Sequence, residues 1–194
     1  MAARAGWTLA DLASAVLAGG ARLLQIRAKH ASGASLLETA ASIVALAHGA
    51  DAKVVVNDRA DIARLVDADG VHIGQDDLAP PLVRAIVGDT AIVGLSAHTP
   101  AQLTAARNAP VTYVAIGPVF ATGTKATGRE ALGLDGVRAA AGQTRPLVAI
   151  GGITLDRAPD VLRAGAASVA VISDLLSTGD PEARVREYLR RLAA

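Results

Sequence analysis

The strongest constraint in this sequence is a rhythm. Short apolar runs rich in Val, Ile or Leu recur about every 25 residues, the period of a strand–helix unit in a parallel α/β fold. They fall at residues 22–26, 53–56, 70–73, 91–95, 113–116, 147–150 and 168–172. Each is nearly continuous rather than alternating, which is how strands buried on both faces read. Amphipathic stretches separate them at 9–17, 35–47, 59–66, 81–87, 100–107, 134–141, 155–163 and 182–192. Thr8, Thr99 and Thr154 stand just before three of these stretches as N-caps.

Strands and helices joined by short loops give parallel strands with right-handed crossovers. Two architectures satisfy that rule, an open doubly wound sheet and a closed eight-fold barrel. An average repeat of about 25 residues, without a long insert at a switch point, favours the barrel. Seven strands and eight helices are spelled out, and the first helix has no strand before it. The expectation is therefore an α/β, (β/α)8 TIM barrel lacking the first strand, with residues 1–194 forming a single barrel domain and no internal linker.

Composition narrows the function. Hydrophobic residues make up 52% but aromatics only 2%, so the core is built from Ala, Val, Leu and Ile. Lys and Arg number 19 against 18 acidic residues, and a formal net charge of +1 argues against a nucleic-acid coat. The absence of cysteine excludes disulfides, thiolate metal sites and cysteine nucleophiles, and fits a cytoplasmic protein. Charges or glycines interrupt every apolar run before it reaches the length of a membrane span.

The informative polar residues follow the strands. Gln25, Arg27 and Lys29 end the first, Asn57 and Asp58 the second, Asp76 and Asp77 the third, and Ser96 and His98 the fourth. Thr122, Thr124 and Lys125 follow the fifth, Gly151 and Gly152 the sixth, and Ile172 and Ser173 close the seventh. In a parallel barrel these points converge on the rim that carries chemistry. Asp58 and Asp77 end successive strands, about 5 Å apart, and could share one hard cation such as Mg2+. The alternative makes Asp58 a helix N-cap and Asp77 a solvated acid. Arg27, Lys29 and Lys125 form a cationic complement suited to phosphate. The Gly-Gly turn with the end of the seventh strand resembles a phosphate cup. His72, inside a strand, reads as a satisfied barrel histidine, and His98 is set aside as a proton carrier.

Seven segments in order resemble the thiamine phosphate synthase family. They are LQIRAK (24–29), VNDR (56–59), ADGVHIGQDD (68–77), GLSAHT (94–99), AIGPVFATGTK (115–125), AIGGI (149–153) and VIS (171–173). The resemblance implies a barrel transferase acting on small phosphorylated substrates. Hydroxymethylpyrimidine diphosphate loses pyrophosphate through a dissociative step, and the nitrogen of a thiazole phosphate captures the pyrimidine carbon. By resemblance, Asp58 and Asp77 hold Mg2+. Gln25, Arg27, Lys29, Asn57 and Lys125 bind the diphosphate, with Ser96 near the pyrimidine and the departing pyrophosphate. Thr122, Thr124, Gly152, Ile172 and Ser173 hold the thiazole phosphate. Arg27, Lys125 and Ser96 are the catalytic candidates.

Two positions depart from the family pattern: Ala28 replaces an acid, and Gly123 replaces a proline. The larger departure is the missing strand, which leaves a gap beside Gln25 and Ile26. A start codon placed too late, a degenerate chain, or a second protomer in a homo-oligomer would each account for it. The rival readings are the related thiazole tautomerase, in which His98 would matter, and a non-catalytic barrel that binds thiamine intermediates.

Overall fold

The computed structural model describes residues 5–123, 130–142 and 145–193. Seven parallel strands form one sheet in sequence order: β1 (Leu23–Ile26), β2 (Lys53–Asn57), β3 (Gly70–Ile73), β4 (Ile92–Ala97), β5 (Tyr113–Ile116), β6 (Leu147–Ile150) and β7 (Ser168–Ala170). An unbroken sequential order rules out the doubly wound alternative, whose strand order reverses. The helices are α1 (Leu9–Ala18), α2 (Gly33–Gly49), α3 (Ala60–Leu65), α4 (Pro80–Val87), α5 (Pro100–Ala106), α6 (Gly133–Ala140), α7 (Ala158–Arg163) and α8 (Pro181–Leu192). All fifteen expected elements form.

Alternation within the strands sorts the side chains. Val54, Val56, Val71, Ile73, Val93, Leu95, Val114 and Ile116 are buried in the hydrophobic clusters between sheet and helices. The positions between them include Gln25, Asn57, His72, Ser96 and Tyr113, so the opposite, inward face of the sheet carries polar groups. The sequence pattern of buried strands is therefore right about burial but hides a polar interior.

Thr8 and Thr99 cap α1 and α5 as expected, each side-chain oxygen accepting an amide hydrogen bond three residues on. Thr154 does not cap α7. Arg157 is the N-cap there, and Thr154 contributes only its backbone carbonyl, which accepts from Arg157 and Ala158.

Among the described residues, nothing pairs with the outer edges of β1 and β7. Their exposure shows it: Leu23 in β1 is 51% exposed and no residue of β7 is buried, while every residue of β3 and β5 is buried. Outside the sheet, α8 packs beside α1, with Arg186 donating to the Ala18 carbonyl at 3.4 Å. The helical layer thus joins across the place where the sheet is open, and the strands form a curled partial barrel.

At the rim where the strands begin, Asp69 ties three elements together. Its carboxylate accepts from the Val54 amide at 2.8 Å, from Lys53 Nζ at 3.0 Å and contacts His48 Nε2 at 3.1 Å. Burial pushes the Asp69 carboxyl up, but these partners together outweigh it and hold it below the usual range. The bonds are made to the ionised form. Their stabilisation is complete above about pH 4 and is lost as the pH falls through the lowered value. Replacing Asp69 with Ala is expected to lower unfolding stability by about 1–3 kcal/mol at neutral pH. Urea melts at descending pH should show that difference shrinking below about pH 4.

Candidate active site

The sequential parallel sheet brings every strand's C-terminal end to one rim, and most candidate residues stand there. Gln25, Arg27 and Lys29 lie at the end of β1 and after it, exposed on the open side. Asn57 ends β2, Asp58 follows, and Asp77 lies in the loop after β3. Ser96 is in β4, Thr122 follows β5, Gly152 follows β6, and Ile172 and Ser173 follow β7. Thr124 and Lys125 lie outside the described residues.

Asp58 holds a left-handed backbone, φ 64°, a conformation that costs an ordinary residue about 1–2 kcal/mol and that Asp tolerates better than most. Its amide donates to the His72 carbonyl at 2.8 Å, extending the β2–β3 ladder by one step. The N-cap of α3 is Arg59, so the reading of Asp58 as a helix cap does not hold. Its carboxylate instead faces Lys29 Nζ at 3.3 Å and comes within hydrogen-bonding reach of Asp77.

Asp77 curls back so that Oδ2 accepts the Gly74 amide at 2.7 Å. Burial raises the Asp77 carboxyl above its usual range, and the neighbouring Asp58 raises it further, against the opposing pull of the Gly74 amide and Lys29. Two carboxylates this close repel unless a proton or a cation sits between them. Among the described residues, no third His, Cys, Asp or Glu joins them. A pair of hard oxygen ligands with an otherwise open coordination sphere fits Mg2+, which keeps waters and takes substrate phosphate oxygens.

A second constellation crosses the inward face. His72, 7% exposed, contacts Tyr113 Oη through Nδ1 at 2.8 Å and Ser96 Oγ through Nε2 at 2.9 Å. Tyr113 in turn hydrogen-bonds Gln25. A chain of side chains thus connects β1, β5, β3 and β4, and links two candidate substrate residues, Gln25 and Ser96. Gly94 makes room for it, since a Cβ there would overlap both the Tyr113 ring and His72. His72 is the satisfied interior histidine expected. Tyr113 was not expected; the available signal was one of only two tyrosines at an inward position of a strand.

The third constellation is the glycine turn. Gly151 and Gly152 have φ of 97° and 64°, and a Cβ on Gly152 would meet the Ala121 carbonyl at 2.6 Å. Both the backbone angle and the close approach demand glycine. The loop after β5 zips onto this turn, with Phe120 N donating to the Gly151 carbonyl at 3.0 Å. Arg157 clamps it from outside, donating to the Gly152 carbonyl at 3.0 Å while lying 4.6 Å over the Phe120 ring.

β7 ends two residues earlier than expected, at Ala170. Ile172 is the N-cap of a 3-10 turn, Ser173–Leu176, so Ile172 and Ser173 open a turn rather than end a strand. Asp174 in that turn reaches across to α8. Its Oδ2 accepts from Arg184 Nε at 3.0 Å, Arg184 Nη2 at 2.8 Å and Tyr188 Oη at 2.6 Å. It also accepts the Leu155 amide from the loop after β6, at 3.3 Å. His98 Nδ1 meets the Gly117 carbonyl at 3.0 Å, and its amide donates to Gln102, so His98 joins the loops after β4 and β5.

A family model described as thiamine monophosphate synthase matches residues 2–175. The chain is 46% identical to the thiamine-phosphate synthase of Koribacter versatilis (strain Ellin345), over 95% of this chain and 87% of that one. It is 42% identical to that of Chloroflexus aurantiacus (strain ATCC 29366 / DSM 635 / J-10-fl), over 93% and 83%. The structure resembles thiamine phosphate pyrophosphorylase from Pyrococcus furiosus with a TM-score of 0.88 at 30% identity, covering 96% of this chain and 90% of that one.

Burial pushes the Tyr113 hydroxyl up to about 12, against the lowering effect of Gln25. Burial and the adjacent Asp174 carboxylate raise Tyr188 as well. These are the two tyrosines of the chain. A pH titration followed at 295 nm should therefore show no tyrosinate step near pH 10, the ordinary value, while circular dichroism reports a folded chain. A one-tyrosine step there would mean that a side chain is not packed as described.

Proposed function

The chain belongs to the thiamine monophosphate synthase family, and we propose that it carries out that family's coupling with the residues gathered on the C-terminal rim of its sheet. It is a transferase of thiamine biosynthesis, joining hydroxymethylpyrimidine diphosphate to thiazole phosphate with release of pyrophosphate and formation of thiamine phosphate. The assignment of residues to steps is our reading. The observation that carries it is the approach of Asp58 and Asp77 beside Lys29, a pair with excess negative charge that a cation would complete.

Asp58 and Asp77 would hold Mg2+, with the diphosphate supplying further oxygens. When bound, the ion neutralises the diphosphate and so eases departure of pyrophosphate. Arg27 presents a guanidinium that can fork across two phosphate oxygens, and Lys29 adds a point charge. Gln25, Asn57 and Lys125 complete the proposed diphosphate contacts. The bond from the pyrimidine methylene to the diphosphate oxygen breaks, and its electron pair leaves with pyrophosphate. Ser96 Oγ, held by His72, would donate to that leaving group. The thiazole nitrogen then gives its lone pair to the electron-poor methylene carbon. No protein nucleophile is needed, because charge neutralisation and alignment supply the catalysis.

Thiazole phosphate would be held by the glycine cup, with Gly152, Ile172, Ser173, Thr122 and Thr124 as its contacts. Its nitrogen would then face the pyrimidine between the two phosphate sites. Small phosphorylated substrates are thus the partners the rim fits. No helix among the described residues is long and apolar enough to cross a membrane.

Purified protein with both substrates and Mg2+ should release pyrophosphate and form thiamine phosphate, and omission of either substrate or addition of EDTA should abolish product. Asp77→Asn should raise the Mg2+ concentration for half-maximal rate by at least about tenfold. Unaltered Mg2+ dependence in that variant would remove Asp77 from the metal site.

A further inference from the structure

β7 is three residues long and is paired on one side only among the described residues, so the ladder alone holds the end of the sheet weakly. The proposed phosphate cup depends on that end, because Ile172 and Ser173 begin where β7 stops. What holds them is Asp174. One of its oxygens gathers four donors, from two elements that β7 itself does not touch through its ladder: Arg184 and Tyr188 on α8, and the Leu155 amide after β6. The side chains of Asp174 and Arg184 are only 10% and 16% exposed. Arg184 is itself braced by Glu187 at 2.8 Å and lies 5.7 Å from the Tyr188 ring centroid.

The chemistry of the site makes this placement informative. An aspartate adjacent to a phosphate-binding serine would repel the phosphate if its charge were free. Here the guanidinium fork neutralises the charge and turns the carboxylate towards α8. The same carboxylate reaches back to Leu155, three residues after Gly152, so a single group fixes both halves of the cup relative to each other.

We propose that Asp174, clamped by Arg184 and Tyr188, is a positioning residue for the thiazole phosphate, setting Ile172–Ser173 against the Gly152 turn and screening the cup from its own negative charge. The inference rests on the assignment of Gly152, Ile172 and Ser173 to that phosphate. It makes α8, a helix outside the sheet, a determinant of affinity for one substrate only.

The test uses the full chain and titrates thiazole phosphate calorimetrically, beside steady-state kinetics in which each substrate is varied. Tyr188→Phe, which removes one hydroxyl, should weaken thiazole phosphate binding about threefold, and Arg184→Gln about tenfold or more. The KM for the pyrimidine diphosphate should stay within about twofold of the parent value. Adding Asp174→Asn to Arg184→Gln should recover part of the lost affinity, because it removes the unscreened charge; a purely structural role predicts further loss. The proposal is overturned if both KM values move together, if only the melting temperature falls, or if the double variant binds more weakly than Arg184→Gln. Should the parent chain bind thiazole phosphate yet make no thiamine phosphate, the functional reading fails while the calorimetric comparison still decides the role of Asp174.

Discussion

Each strand of the sheet hydrogen-bonds to the next in sequence, parallel and in register, from β1 to β7. The chain must therefore return to the same rim before every new strand, and every strand delivers its last residue to the opposite rim. Nothing else is needed to bring residues as far apart as Lys29 and Ser173 to one side of the molecule. The helices serve this arrangement by covering the outer face, where Val, Ile, Leu and Ala are sealed from water. Asp69 serves it from below, pinning α2, β2 and β3 at the rim that carries no chemistry.

Along the active rim the electrostatic demands differ. Near β1 to β3 the carboxylates of Asp58 and Asp77 are pressed together, at the expense of a left-handed backbone at Asp58 and a raised proton affinity at Asp77. That arrangement suits a cation and, through it, a diphosphate. Near β6 and β7 the opposite is achieved, since the Asp174 carboxylate beside the proposed cup is paired with Arg184. Between these regions runs the chain Gln25–Tyr113–His72–Ser96, which crosses four strands and occupies the inward face. The proposed diphosphate and monophosphate sites, with this interior layer between them, would suit a two-substrate coupling, because the reacting carbon and nitrogen must meet between two anchored phosphates.

The fold was legible because burial leaves a periodic trace. Valine-rich runs at about 25-residue intervals located all seven strands, and the side chains of Thr8 and Thr99 located two helix starts. The site was legible to the extent that parallel strands place functional residues at a fixed point, immediately after each apolar run. What the sequence hid was made by contacts between distant segments. Nothing local to Tyr113 announces that Gly94 leaves room for it beside His72. Nothing local to Asp174 announces Arg184 and Tyr188, ten and fourteen residues away on another element. Thr154 gives only its backbone carbonyl to a turn ahead of α7, and the helix starts after Arg157. Among the described residues the outer edges of β1 and β7 have no paired strand, and α1 packs on α8 across that place.

In the proposed reaction the two phosphate sites are separate, one at the ends of β1 to β3, where Asp58 and Asp77 would hold the metal, and one at the ends of β6 and β7. Substituting paramagnetic Mn2+ for Mg2+ and recording 31P relaxation of both bound substrate phosphates tests this directly. The account predicts strong relaxation of the pyrophosphate phosphorus nuclei, much weaker relaxation of the thiazole phosphate, and loss of the strong effect in Asp77→Asn. Equal relaxation of both, or a strong effect that persists in Asp77→Asn, would contradict it.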